Sequence, residues 1–191
     1  MRPHDYLQLG LHLSQSWGIM RRYFVVNGFD GALTMLGLLT GFHLSGNIAL
    51  GVVIGACLGA AVALGVSGLS SAYLSESAER RRALAELESA MVADLSDSAH
   101  GSAAHLLPLL VAIVNGMAPL LMSLIIISPL WLARNGVMLP LPPLPSAIAI
   151  AFLCIFGLGI FLGLVGGTSW LWSGVKTLLI ALLTVLIIFV I

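Results

Sequence analysis

VVNGFDGALTMLGLLTG, residues 25–41, places one carboxylate, Asp30, in a stretch otherwise apolar enough to cross a membrane. A charge at the centre of a spanning helix costs about 2.5–3.5 kcal/mol on insertion scales. Such a residue persists where water, a partner group or an ion compensates it, so this stretch bears on fold and chemistry together. Asn27, Asp30 and Thr34 follow i, i+3, i+7 spacing and share one face of a helix. Amide, carboxylate and hydroxyl oxygens on one face suit a cation or a proton, and Met35 adds a soft thioether nearby. The plainer alternative is an aspartate that snorkels to the interface or bonds a neighbouring helix. Gly28 and Gly31 flank Asp30 and would let another helix come close.

The rest of the chain agrees with a membrane setting. Of 191 residues, 59% are hydrophobic and only 8% charged, with a mean hydropathy of +1.08. A soluble domain carries about a quarter charged residues. Eight acidic residues balance eight basic ones, which argues against a nucleic-acid partner. Cys57 and Cys154 lie in apolar runs without metal-ligand spacing and read as small apolar residues. Arg21-Arg22 precede an apolar run too long for the core of a cleavable leader.

Five apolar segments reach spanning length, at about 24–44, 48–74, 105–133, 146–166 and 169–191. The expected fold is an all-α integral membrane protein with five transmembrane helices and a short cytoplasmic acidic helix between spans two and three. Four regions follow: an N-terminal cytoplasmic or interfacial segment at 1–23, a transmembrane hairpin at 24–75, an acidic helical insert at 76–104, and spans three to five at 105–191. Within the first, Tyr6, Leu9, Leu13, Trp17 and Met20 stand at helical spacing, which predicts a short interfacial helix over 6–20. Only Ser45-Gly46-Asn47 separates the first two spans. Span three carries Pro108, Pro119 and Pro129, with Asn115-Gly116 before the middle one, and this predicts a kink with freed carbonyls. Residues 134–145, RNGVMLPLPPLP, form a connection too proline-rich to be helical throughout.

Basic residues set the orientation. Arg2, Arg21, Arg22, Arg80, Arg81, Arg82 and Lys176 fall on one side and only Arg134 on the other. The positive-inside rule then puts the N-terminus and the insert in the cytoplasm and the C-terminus outside. In span two, Gly51, Gly55 and Gly59 make a flat groove, which is either packing within one subunit or an interface between subunits.

The insert, ESAERRRALAELESAMVADLSDSAH, offers a second group of candidates. As a helix over 76–97 it places Glu76, Glu79, Glu86, Asp94 and Asp97 within an arc of roughly 80°. Met91 borders the arc, Glu88 points elsewhere, and His100 and His105 follow. Clustered carboxylates beside a methionine can collect divalent metal. The competing reading is a solvated helix in which Arg82 and Glu86 make an ordinary i,i+4 pair. No enzyme is expected. Intramembrane aspartyl chemistry needs two membrane aspartates, the Gly68-Leu69-Ser70-Ser71 turn has only the distant His43 for support, and neither a phosphate-binding loop nor a C-x-x-C pair occurs.

These pieces together resemble the vacuolar iron transporter family. NGFDGALTMLGLLTG resembles its Asp-Gly first-span signature, and GLSSAYLSESAERRRALAELESAM its second. Asn115-Gly116-Met117-Ala118-Pro119 fits its third span and GTSWLWSGVKTLLIALLTVL its last, so the likeness covers nearly all of the chain after residue 20. The resemblance implies a homodimer in the cell (inner) membrane with a cation pathway between the first two spans of each subunit. Fe(II) or Mn(II) would leave the cytosol in exchange for protons, and no permanently bound cofactor is implied. Asp30 matches the family's pathway aspartate, and Tyr73 and Ser75 the end of its second-span motif. Glu76, Glu79, Glu86, Glu88, Met91 and Asp94 occupy the region of its cytoplasmic metal-collecting residues. Two positions depart: Gly68 and Ala72 stand where the family usually has methionine and glutamate. A non-transporting membrane scaffold of the same fold is the alternative.

Overall fold

In the computed structural model, residues 3–46, 48–95 and 98–190 are described, as backbone alone at 3–16 and 99–100. Asn47 and Asp97 lie outside the described residues, as do the side chains of Tyr6, Leu9, Leu13 and His100. The described residues form five helices and no strand: α1 Pro3–Leu44, α2 Leu50–Met91, α3 Ala99–Arg134, α4 Pro143–Val165 and α5 Trp170–Val190. All five are long and apolar enough to cross a membrane.

Two boundaries differ from expectation, for one reason. The N-terminal segment is helical, but it runs without a break into the first apolar stretch, giving α1 42 residues. The acidic insert is likewise no separate short helix; it continues α2 to Met91, again 42 residues. A change from apolar to polar residues marks a change of solvent, whereas only Gly, Pro or a cap ends a helix. Neither boundary carries a breaker.

The ends that do occur have local causes. Beyond α1, Ser45 donates from its N–H and hydroxyl to Gly41 O, and Gly46 takes a positive φ of 89°. α2 stops where Val92 turns left-handed at φ 49° and Ala93 N–H reaches back to Glu88 O at 3.3 Å. That six-residue return bond is the Schellman arrangement, here with valine in the place glycine usually holds. Ser98 then caps α3, its hydroxyl accepting from Gly101 N–H at 3.3 Å. Asp94 stands past the end of α2, so the predicted acidic arc over 76–97 is cut short.

α3 runs continuously past its three prolines. Each proline removes the N–H that would bond the carbonyl four residues earlier. Ile125 O, orphaned by Pro129, accepts from Ser128 Oγ at 2.7 Å.

The chain divides into two compact units. One joins the N-terminal segment up to Phe24 with Gly65–Met117; the other joins Val25–Leu64 with the chain from Ala118 onward. The first has a small core of Met20, Ala72, Val111 and Ala112. In the second, side chains from all five helices meet, among them Leu36, Leu39, Val53, Cys57, Ile126, Leu130, Ala151 and Ala181. Small residues set that packing by letting helix backbones approach closely. At the α4–α5 contact a Cβ on Gly163 would lie 2.8 Å from Trp170 Cα, and one on Gly159 would overlap Thr177 Oγ1. Thr177 hydroxyl donates to Ile155 O at 3.1 Å and to Gly174 O at 2.8 Å, so its polar group is satisfied in the apolar interior.

Candidate functional site

Asp30 lies in the second unit, on the surface of α1. It is exposed, while Asn27 and Thr34 beside it are half-buried. The glycines next to it serve the opposite face. A Cβ on Gly31 would lie 2.7 Å from Pro119 Cα, and one on Gly28 would stand 3.5 Å from Met122 Cγ and Leu158 Cδ2. They therefore seat α3 and α4 against α1; they do not clear room around the carboxylate. Gly31→Ala should cost about 1–3 kcal/mol through forced displacement of the α3 backbone, whereas Gly28→Ala meets only ordinary contact. Thermal melts of the two variants in detergent should show a clear drop for the first and little change for the second.

Met35 does not belong to this site. It is completely buried among Leu36, Leu39 and the rest of the second unit's core. Five residues from Asp30 is about 140° around a helix, and that rotation carries its sulfur to the inner face.

In the first unit, Glu76 is half-buried on α2. Its carboxylate, 12% exposed, accepts from Tyr23 hydroxyl at 3.4 Å and faces Arg80 Nε at 3.8 Å. Tyr23 is a participant that the sequence reading passed over. The signal was present: Tyr23, Asn27, Asp30 and Thr34 run at steps of four, three and four residues.

The other predicted metal-collecting residues take up separate tasks. Glu86 pairs with Arg82 at 2.9 Å on the exposed helix surface, the ordinary i,i+4 arrangement. Glu88 accepts from Leu95 N–H at 3.0 Å and so secures the turn after α2. Glu79, Met91 and Asp94 are exposed, as are Tyr73 and Ser75. Among the described residues no three His, Cys, Asp or Glu side chains come together to hold a metal ion.

Gly68 and Ala72 have a packing explanation. Asn115 Nδ2 donates to Gly68 O at 2.7 Å, and a Cβ on Gly68 would come within 3.2 Å of Asn115 O. Pro119 has no N–H to give that carbonyl, and α3 turns the oxygen toward position 68, where an added carbon would be a tight fit. Gly116 repeats the close approach, a Cβ there lying 2.7 Å from Gly65 O. Ala72 is 3% exposed in the core of the same unit. A larger side chain at 68 would press on Asn115 of α3, and one at 72 would enter the small core with Val111 and Ala112.

Among the described residues nothing packs into the Gly51, Gly55, Gly59 groove. All three are exposed, and a Cβ on any of them would meet nothing within 4 Å. This answers the first of the two readings of the groove: it is not internal packing. No family model matches the chain, and no match was found among curated proteins or solved structures.

Proposed function

We propose that the chain is a proton-coupled transporter of divalent cations, carrying Fe(II) or Mn(II) out of the cytosol as a homodimer in the cell (inner) membrane. Asp30 carries this reading: a carboxylate exposed on one chain's surface, inside a helix apolar enough to span a bilayer. Against lipid that charge is costly; between two copies a bound cation or proton would compensate it. One copy offers one carboxylate, too few for a divalent ion that takes about six oxygen ligands. A second copy doubles the set to two Asp30, two Asn27 and two Thr34, and the open glycine groove of α2 permits the approach. A proton and a metal ion would compete for the same carboxylates, which couples their opposite movements. The test is metal uptake into proteoliposomes driven by an imposed pH gradient, run with iron, manganese, cobalt and zinc.

A scaffold that does not transport is the second reading. It is favoured by one observation, that positions 68 and 72 are closed by packing and carry no ligand. Flux of any of the four metals above protein-free liposomes rules it out.

In this reading the N-terminus and the acidic end of α2 face the cytoplasm, and the C-terminus lies outside. Single cysteines at Ala90 and Val137, both exposed, in a background lacking Cys57 and Cys154, should be labelled by an impermeant reagent from opposite sides. Labelling from the same side would overturn the topology.

A further inference from the structure

Among the described residues, none supplies an anion to the Arg21 guanidinium. Its Nε is buried without a hydrogen-bond partner. The ion pairs of the described residues take Arg80 to Glu76 and Arg82 to Glu86, and none takes Arg21 or Arg22. A guanidinium half withdrawn from water, with one nitrogen buried and unbonded, favours an outside anion beside it.

The surroundings say what kind of anion. Along α1, Trp17, Arg21 and Val25 succeed one another at four-residue steps on one face. Trp17 is 64% exposed, Arg21 half-buried and Val25 only 5% exposed. Arg21 thus stands where an open face becomes a sealed one. Gly18, beside Trp17, adds space, since a Cβ there would meet nothing within 4 Å. Arg22 is exposed, with its guanidinium 5.9 Å from the Tyr23 ring.

The Tyr23–Glu76 contact fixes the level of α1 against α2. At 1.5 Å per residue, Arg80 to Arg82 lie about 6–9 Å beyond Glu76, and Trp17 lies about 9 Å before Tyr23. An exposed tryptophan and five arginines therefore share a band about 10 Å deep at the ends of two spanning-length helices. That depth suits a layer of lipid headgroups, and tryptophan is the residue enriched there. Every base in the band is arginine, whose planar fork matches phosphate oxygens.

We propose that Arg21, assisted by Arg22, binds the phosphate of an anionic phospholipid, with the Trp17 ring against the glycerol and upper acyl region. An anionic lipid is specified because a zwitterionic headgroup already carries its own cation beside the phosphate. The apolar ring next to the arginine favours a lipid over free phosphate.

Native mass spectrometry of the full chain in detergent, titrated with phosphatidylglycerol or phosphatidylcholine, tests this. Wild type should hold phosphatidylglycerol at least about tenfold more tightly, from two basic residues each contributing at the membrane surface. Arg21→Gln should lose most of that preference. Arg82→Gln, which removes the same charge from an arginine already paired, should stay within about twofold of wild type. Equal binding of the two lipids, or equal losses in the two variants, would overturn the proposal. Inorganic phosphate that displaces the lipid at millimolar concentration would show a free-anion site and overturn the lipid assignment. Should Arg21→Gln not fold, Arg21→Lys decides: it keeps the charge but not the fork, and wild-type affinity in it overturns the role given to the guanidinium.

Discussion

If the chain transports as proposed, Asp30→Asn should abolish metal flux driven by a pH gradient, leaving the rate of protein-free liposomes, while the protein should still insert, fold and dimerise. The amide occupies nearly the same volume as the carboxylate, and Asp30 is exposed on one chain with no core packing to disturb. What the change removes is a group able to hold either a proton or a metal ion. In a dimer it removes both such groups at once, and the amide oxygens that remain are neutral ligands. A cation crossing an apolar layer without a compensating charge faces a barrier of several kcal/mol, and each 1.36 kcal/mol is tenfold in rate. A loss of at least about a hundredfold follows. The measurement is flux in liposomes holding matched amounts of wild type and Asp30→Asn, across the four metals. Equal flux removes Asp30 from the mechanism.

Much of the architecture could be read from local pattern, because five apolar runs of spanning length leave little choice of element. The residues that went astray did so where the deciding contact is distant in sequence. Gly68 looked like a missing ligand; Asn115, 47 residues away, shows that it is a seat for α3. Glu88 looked like one more acid near the membrane, but its carboxylate secures a turn that depends on Val92 adopting a left-handed backbone. Propensity gives no warning of that, since a β-branched residue is among the least suited to the conformation. Met35 was a different kind of error. Helical geometry alone separates it from Asp30 by about 140°, so the rotation was available from spacing. The glycines were half legible: their number predicted close helix contacts, but only coordinates distinguish Gly31, pressed on Pro119, from Gly55, facing open space.

Gly55→Leu should leave the single chain intact and separate the proposed dimer. The two halves of this expectation rest on the same fact. A Cβ added at Gly55 would meet nothing within 4 Å and the position is exposed, so neither the core of the second unit nor the α1–α2 turn should have to move. In isolation the variant should keep its thermal stability. In the proposed dimer, Gly51, Gly55 and Gly59 form the flat strip on which a second helix backbone rests, and a leucine at its centre holds that backbone away. Overpacking of this kind costs about 1–3 kcal/mol per site. A two-fold interface repeats the site, because the same patch is presented by both copies. Doubling the lower figure to about 2 kcal/mol weakens association by a factor of roughly thirty. Gly55→Ala adds one carbon and should weaken it far less. Molar mass by light scattering in detergent and cross-linking between single cysteines at position 52 in reconstituted membranes measure the result. Because Val52 is exposed beside the groove, its cysteine variant reports contact between copies without entering the core. A wild type that is monomeric and does not cross-link would leave Asp30 facing lipid, and would remove the dimer and the transport mechanism built on it together. A dimer that survives Gly55→Leu would move the interface off this face of α2, and the second carboxylate would have to be sought along the exposed side of α1 alone.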